Sequence, residues 1–158
     1  MASKLSLRPA TAADAAAICA LHIRSIREVC AKDYSPEQIE AWAGPKRPEH
    51  YLLPIQEKRL VVAEVDGQLA GFSDYHGKQN EILAVYVSVK FQRRGVGRAL
   101  FGRLVEDLKA RGYADAWFDA SLTSVAFYEA MGCARGATQL HTFRPGVSIP
   151  CVRMTVRL

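Results

Sequence analysis

The chain has 158 residues, of which 49% are hydrophobic and 23% charged; this suits one domain spanning residues 1–158 with its own core and excludes a largely disordered chain. The 21 Lys and Arg against 16 Asp and Glu leave a formal charge of +5, which permits an anionic ligand without naming one. The longest apolar stretches fall short of the ~20 residues that a membrane helix needs, and the N-terminus lacks a signal peptide's apolar segment, so a soluble cytoplasmic protein is expected.

A short strand-like run, Lys4 to Arg8, is interrupted at Pro9. Thr11, with Asp14 three residues on, then offers a helix start, and Ile18, Leu21, Ile23, Ile26 and Val29 carry an apolar stripe to about Ala31. Ser35 before Pro36 starts a second, short helix that runs through Trp42 and ends near Gly44-Pro45. From Leu60 the period becomes that of strands: a hairpin turns at Asp66-Gly67, and a run from Glu81 to Val89, apolar on both faces for part of its length, reads as a central strand. Leu100, Leu104, Val105 and Leu108 give a helix from about Gly95 to Arg111 its buried face. A strand over residues 114–120, a helix from Thr123 or Ser124 to Met131, and extended runs over residues 137–143 and 149–156 complete the chain. The expected architecture is mixed α/β (α+β), without repeats, in the order β-α-α-β-β-β-α-β-α-β-β.

Cys19, Cys30, Cys133 and Cys151 are scattered and include no C-x-x-C pair, so buried or half-buried thiols are expected and neither a metal site nor a disulfide framework is suggested. A nucleophilic cysteine would need a base such as His22, His50, His76 or His141 brought beside it by the fold.

The most informative segment is Gln92-Arg93-Arg94-Gly95-Val96-Gly97-Arg98-Ala99, set between a strand and an amphipathic helix. Glycines let the backbone approach a ligand, and a helix start presents unpaired N–H groups at the positive end of its dipole, which together suit a phosphate. The dinucleotide fingerprint fails because Leu100 stands where its last glycine belongs, and no G-K-[ST] follows for a nucleotide P-loop. A plain glycine-containing turn with solvated arginines is the alternative.

Gln92-x-x-Gly95-x-Gly97 resembles the Q/R-x-x-G-x-G/A signature of the GCN5-related N-acetyltransferase (GNAT) superfamily, and Ala126-Phe127-Tyr128-Glu129-Ala130-Met131-Gly132 is similar to its F-Y-x-x-x-G-F segment. Tyr34-Ser35-Pro36-Glu37-Gln38-Ile39 with Trp42 resembles small bacterial members of uncertain substrate. The resemblance implies a GNAT-like domain with a mixed, mostly antiparallel sheet of about six to seven strands and about four helices. It implies acetyl-CoA as cosubstrate, its pyrophosphate gripped by Gln92, Arg93, Arg94, Gly95, Val96, Gly97, Arg98 and Ala99. Its pantetheine would pair with freed backbone at Val85, Tyr86 and Val87 where the strand splays at a bulge. Ser121 stands where many members carry an asparagine, and Ser121 or Ser124 could bond the pantetheine arm or merely cap a helix; Cys133 replaces the family's phenylalanine.

Acetyl transfer to an amine needs a proton for the departing thiolate and a group that accepts one from the amine. Tyr128 matches the family's acid position, and a phenol keeps its proton at neutral pH; the alternative is an ordinary core aromatic. Glu81, eleven positions before Gln92, matches the spacing of the glutamate base in histone-type members, against the alternative of a solvated turn residue. Asp74, His76 or water are the other candidates for the base. The acceptor walls implied by the resemblance are Tyr34, Trp42, the His50-Tyr51 region and residues 141–149, with Tyr34 and Trp42 preferred as core. The implied partners are acetyl-CoA and a small-molecule or peptide amine, with no membrane and no specific nucleic acid; a homodimer is compatible. The rival functions are a non-catalytic acyl-CoA sensor or scaffold and a basic nucleic-acid-binding domain built on Arg93, Arg94, Arg98, Arg103, Lys109 and Arg111.

Overall fold

In the computed structural model, which describes residues 3–158, four strands form an antiparallel sheet in chain order: β1 (Leu5–Pro9), β2 (Val61–Val65), β3 (Gln68–Tyr75) and β4 (Ile82–Val87). A second antiparallel sheet sets β7 (Val147–Arg157) between β5 (Asp115–Ser121) and β6 (Ala134–Arg144). The two sheets meet at one parallel bridge, Glu81 with Trp117, where the Trp117 N–H donates to the Asn80 carbonyl at 3.0 Å. The helices are α1 (Ala15–Val29), α2 (Pro36–Ala43), α3 (Leu52–Gln56), α4 (Val96–Ala110) and α5 (Val125–Ala130).

Local chemistry accounts for the boundaries. Thr11 N–H donates to the Asp14 carboxylate at 2.8 Å ahead of α1, and Ser35 and Gln38 exchange hydrogen bonds at the start of α2, where Pro36 forfeits no helical bond. Asp66 and Gly67 both hold positive φ, 51° and 80°, the pair that a tight hairpin between β2 and β3 requires. The strand count and antiparallel character agree with expectation, whereas α3 adds a helix that the sequence did not announce. Five residues with Pro54 among them are too few for a helical period to register. The final hairpin runs longer than expected, because β6 lies mostly exposed along its length and its ends are set by pairing with β7, not by an apolar pattern.

Alternation along the first sheet sends Val61, Ala63 and Val65 toward Val96 and Leu100 of α4, while Leu60, Val62 and Phe72 pack with Ile18 and Cys19 of α1. The sheet is therefore covered on both faces. Behind the second sheet, Phe101, Leu104 and Leu108 of α4 pack with Phe118, Met154 and Tyr128, each large side chain contributing about 2 kcal/mol by burial. On its other side Ile26, Cys30, Tyr34 and Ile39 meet Ile149. Tyr34, a candidate wall residue, is core: its hydroxyl donates to the Pro150 carbonyl at 2.7 Å and accepts from the Leu122 N–H at 2.9 Å. All four cysteines are buried and free. Among the described residues no helix is long and apolar enough to cross a membrane.

Candidate active site

Beyond the Glu81–Trp117 bridge, β4 and β5 part. Asp74 faces Ala84 while Tyr75 faces Ile82, so Leu83 is an extra residue in β4, a bulge that bends the strand where the sheets separate. Ser88 N–H bonds the Ala70 carbonyl at 2.8 Å, and antiparallel alternation then turns the N–H and C=O of Val85 and Val87 away from β3 and into the gap. The Val87 carbonyl is taken there by the Ser25 hydroxyl and the Gln92 side-chain amide, both at 3.1 Å. Among the described residues the Val85 N–H and C=O meet no partner on the open side. The Tyr86 backbone faces Phe72 instead, and its contribution to the cleft is its ring.

This gap is a cleft of about 700 Å³ that reaches from Glu81 to the loop before α4. In that loop Arg93 and Gly95 hold positive φ, 60° and 79°, and such turns aim successive amides into one concavity. The first loop-to-helix bond is from Ala99 N–H to the Gly95 carbonyl at 3.0 Å, which leaves the N–H groups of Val96, Gly97 and Arg98 without a preceding acceptor. A Cβ on Gly97 would stand 3.1 Å from the Phe127 ring, which would have to give by a few tenths of an ångström, so glycine suits this close packing. Gln92, Arg93, Gly95, Val96, Gly97 and Arg98 line the cleft. Arg94 and Ala99 do not: Arg94 lies over the Phe91 ring at 5.7 Å, and the Ala99 amide is already spent within the helix.

Tyr128, on α5, is 6% exposed and lines the cleft with a hydroxyl that bonds no other group among the described residues. Burial pushes its phenol well above the usual tyrosine range, so it holds its proton throughout the neutral range. Glu81 also lines the cleft; burial, with Asp119 adding to it, raises its carboxyl above the ordinary value against the pull of His76 and Arg153. Asp119 is itself fastened to Arg153 at 2.6 Å. Ser121 and Ser124 line the same cleft, their hydroxyls 2.9 Å apart, with Ser124 also donating to the Ser121 carbonyl.

The other base candidates lie elsewhere. Asp74 is paired with Arg59 at 2.9 Å away from the cleft, and its carboxyl is raised to about 6 by burial. The His76 ring accepts the Lys78 amide at 3.0 Å and also lies off the cleft. Of the walls, Trp42, His141, Phe143 and Ile149 reach the cleft, whereas His50 does not, and Tyr51 stands behind His22 with its hydroxyl 2.8 Å from Nδ1. Sequence reasoning missed His22, Lys46 and Asp119 as lining residues. His22 and Ser25 had left a signal, being polar residues at stripe positions of α1 otherwise held by Ile18 and Ile26. Arg103 and Arg111, read as part of a basic face, are engaged by Asp107 and by the Tyr75 hydroxyl.

A mixed α/β fold whose two sheets diverge beside an amide-lined loop offers a cleft suited to a long, phosphate-bearing carrier such as an acyl-CoA. Residues 30–156 match the family model of the acetyltransferase (GNAT) domain, and the chain belongs to that family. It is an acetyl-CoA-dependent N-acyltransferase. It is 29% identical over 158 residues to a Streptomyces viridochromogenes phosphinothricin N-acetyltransferase, spanning 90% of this chain and 81% of that protein. It is also 29% identical over 115 residues to the Escherichia coli N-acetyltransferase YafP, 73% of this chain and 71% of that one. A GCN5-related N-acetyltransferase from Rhodopseudomonas palustris superposes with a TM-score of 0.90 at 28% identity, covering 100% of this chain and 99% of that one. PaiA of Thermoplasma acidophilum, solved with coenzyme A, shares the fold at a TM-score of 0.76 and 19% identity, with 98% and 99% covered.

Proposed function

We propose that this protein transfers an acetyl group from acetyl-CoA directly to a primary amine, with both bound at once. The observation that carries this reading is the seam between β4 and β5, which joins free backbone at Val85 to the unpaired amides of Val96, Gly97 and Arg98 and passes Tyr128 on the way. When bound, acetyl-CoA supplies an activated thioester acyl group. Val85 would hold the pantetheine amides, and the loop amides with Arg93 and Arg98 would hold the pyrophosphate. The amine nitrogen forms the new C–N bond as the C–S bond breaks; Glu81 accepts the proton that nitrogen sheds, directly or through water, and the Tyr128 hydroxyl gives its own to the departing sulfur. Transfer through a cysteine is disfavoured by the thiols themselves: Cys30, which lines the cleft, is pushed up to about 11 by burial, and Cys151 is raised as well.

Calorimetry with coenzyme A and thiol release from acetyl-CoA across a panel of amines, including peptide N-termini and lysines, test the reading. Micromolar binding together with turnover on one acceptor class is the expected result. Binding with no turnover on any amine would replace catalysis by sensing, and absent binding would remove the cofactor assignment. Retention on DNA that falls steeply with salt and ignores added coenzyme A would point instead to the nucleic-acid reading.

A further inference from the structure

The cleft crosses β4, and its two faces differ. Val85 and Val87 pack on the α4 side with Val96, whereas Tyr86 turns to the α1 side, its ring 4.1 Å from His22. The loop amides, Arg93 and Arg98 lie at the α4 end, so a cofactor held there already has its cations. On the α1 side the cleft is walled by Tyr86, Trp42 and Phe143, the last two stacked at 6.2 Å with planes 21° apart.

Two polar groups within this apolar wall lack partners. Lys46 lines the cleft half-buried, and its ammonium meets no carboxylate among the described residues. Lys46 and His22 line the same cleft, and burial lowers the lysine's own proton affinity. His22 is 8% exposed; Nδ1 meets the Tyr51 hydroxyl, but Nε2 has no partner among the described residues. A desolvated cation and an orphaned ring nitrogen both cost free energy unless a ligand completes them. Of the two carboxylates that line the cleft, Asp119 is held by Arg153 and Glu81 stands at the bridge that closes the seam, so among the described residues neither completes them.

We infer that the acceptor is a primary amine carrying a carboxylate on an apolar body, with Lys46 engaging the carboxylate, His22 Nε2 bonding a polar atom beside it, and Trp42, Tyr86 and Phe143 enclosing the body. This rests on the acetyltransferase reading and narrows its substrate class. Acceptors with several positive charges are disfavoured, since they would bring further cations up to Lys46 with one free carboxylate to receive them.

The test compares amines that differ only in the carboxylate: L-phenylalanine with phenethylamine, L-tryptophan with tryptamine, and L-leucine with isopentylamine, each assayed by thiol release from acetyl-CoA. The carboxylated member is expected to show a kcat/KM about 10- to 100-fold higher, carried by KM. In K46M that ratio should fall to near one, and in K46E it should invert; coenzyme A binding by calorimetry reports that each variant is folded. A wild-type enzyme that prefers the decarboxylated twins or spermidine overturns the assignment and leaves acetyl transfer standing, as does a ratio untouched in K46M. Coenzyme A binding without turnover on any of these amines, or on peptides, overturns both this assignment and the catalytic reading beneath it.

Discussion

The two ends of the cleft are built from different material. The α4 end offers mainly backbone: open groups at Val85 and the unpaired amides of Val96 to Arg98, with Arg93 and Arg98 beside them, all within one continuous stretch from β4 to α4. The α1 end offers side chains brought from α1, the segment after α2, β4 and β6: His22, Lys46, Tyr86 and Phe143. Backbone geometry is shared by chains that fold alike, which suits the first end to the cofactor of the proposed reaction; side chains vary freely, which suits the second to its acceptor.

The contrast can be broken at the chemistry between the two ends. Y128F, which removes the proton offered to the leaving sulfur, is expected to lower kcat by about 10²-fold or more while coenzyme A affinity changes little. Equal turnover would leave Tyr128 as packing against Phe118, whose ring centre is 4.4 Å away. G97D puts a side chain against Phe127 and an anion beside the amides proposed to hold the phosphates, and should weaken coenzyme A binding about 100-fold by calorimetry. For E81Q the expectation is a drop in kcat of about tenfold near neutrality and a changed pH profile. A base works once deprotonated, and burial raises the Glu81 carboxyl, so wild-type rate should climb with pH through that raised value; the glutamine variant should lose this climb and retain only that of the amine. An unchanged profile would hand the role to water. The smallest effect is on stability alone: Y34F loses two hydrogen bonds that tie the segment after α1 to the second sheet, and urea denaturation should show a loss of about 1–2 kcal/mol with coenzyme A affinity intact.

What could be read beforehand follows the same division. The loop was legible because one local pattern, a strand, two glycines and an amphipathic helix, contains its whole geometry, and the place of Tyr128 in the cleft followed from a short motif on one helix. The bulge was implied by the resemblance alone: its place at Leu83 left no trace in the residues, since an extra residue in an apolar strand looks like any other. Lys46 was invisible for a different reason: a lysine after Gly44-Pro45 is an ordinary loop residue until the fold turns it to the cleft that His22 also lines. His76 had the better intrinsic affinity for a proton as a base, yet its location, decided by the turn before β4, keeps it off the cleft.

The single bridge between Glu81 and Trp117 makes the opening between the sheets a wedge. A wedge admits a long molecule in one sense only. The charged, hydrated end of a carrier would have room at the broad mouth beside α4, while the narrow apex would take only a slender tip, so the same divergence that frees the strand edges also sets which end of the proposed donor goes in first.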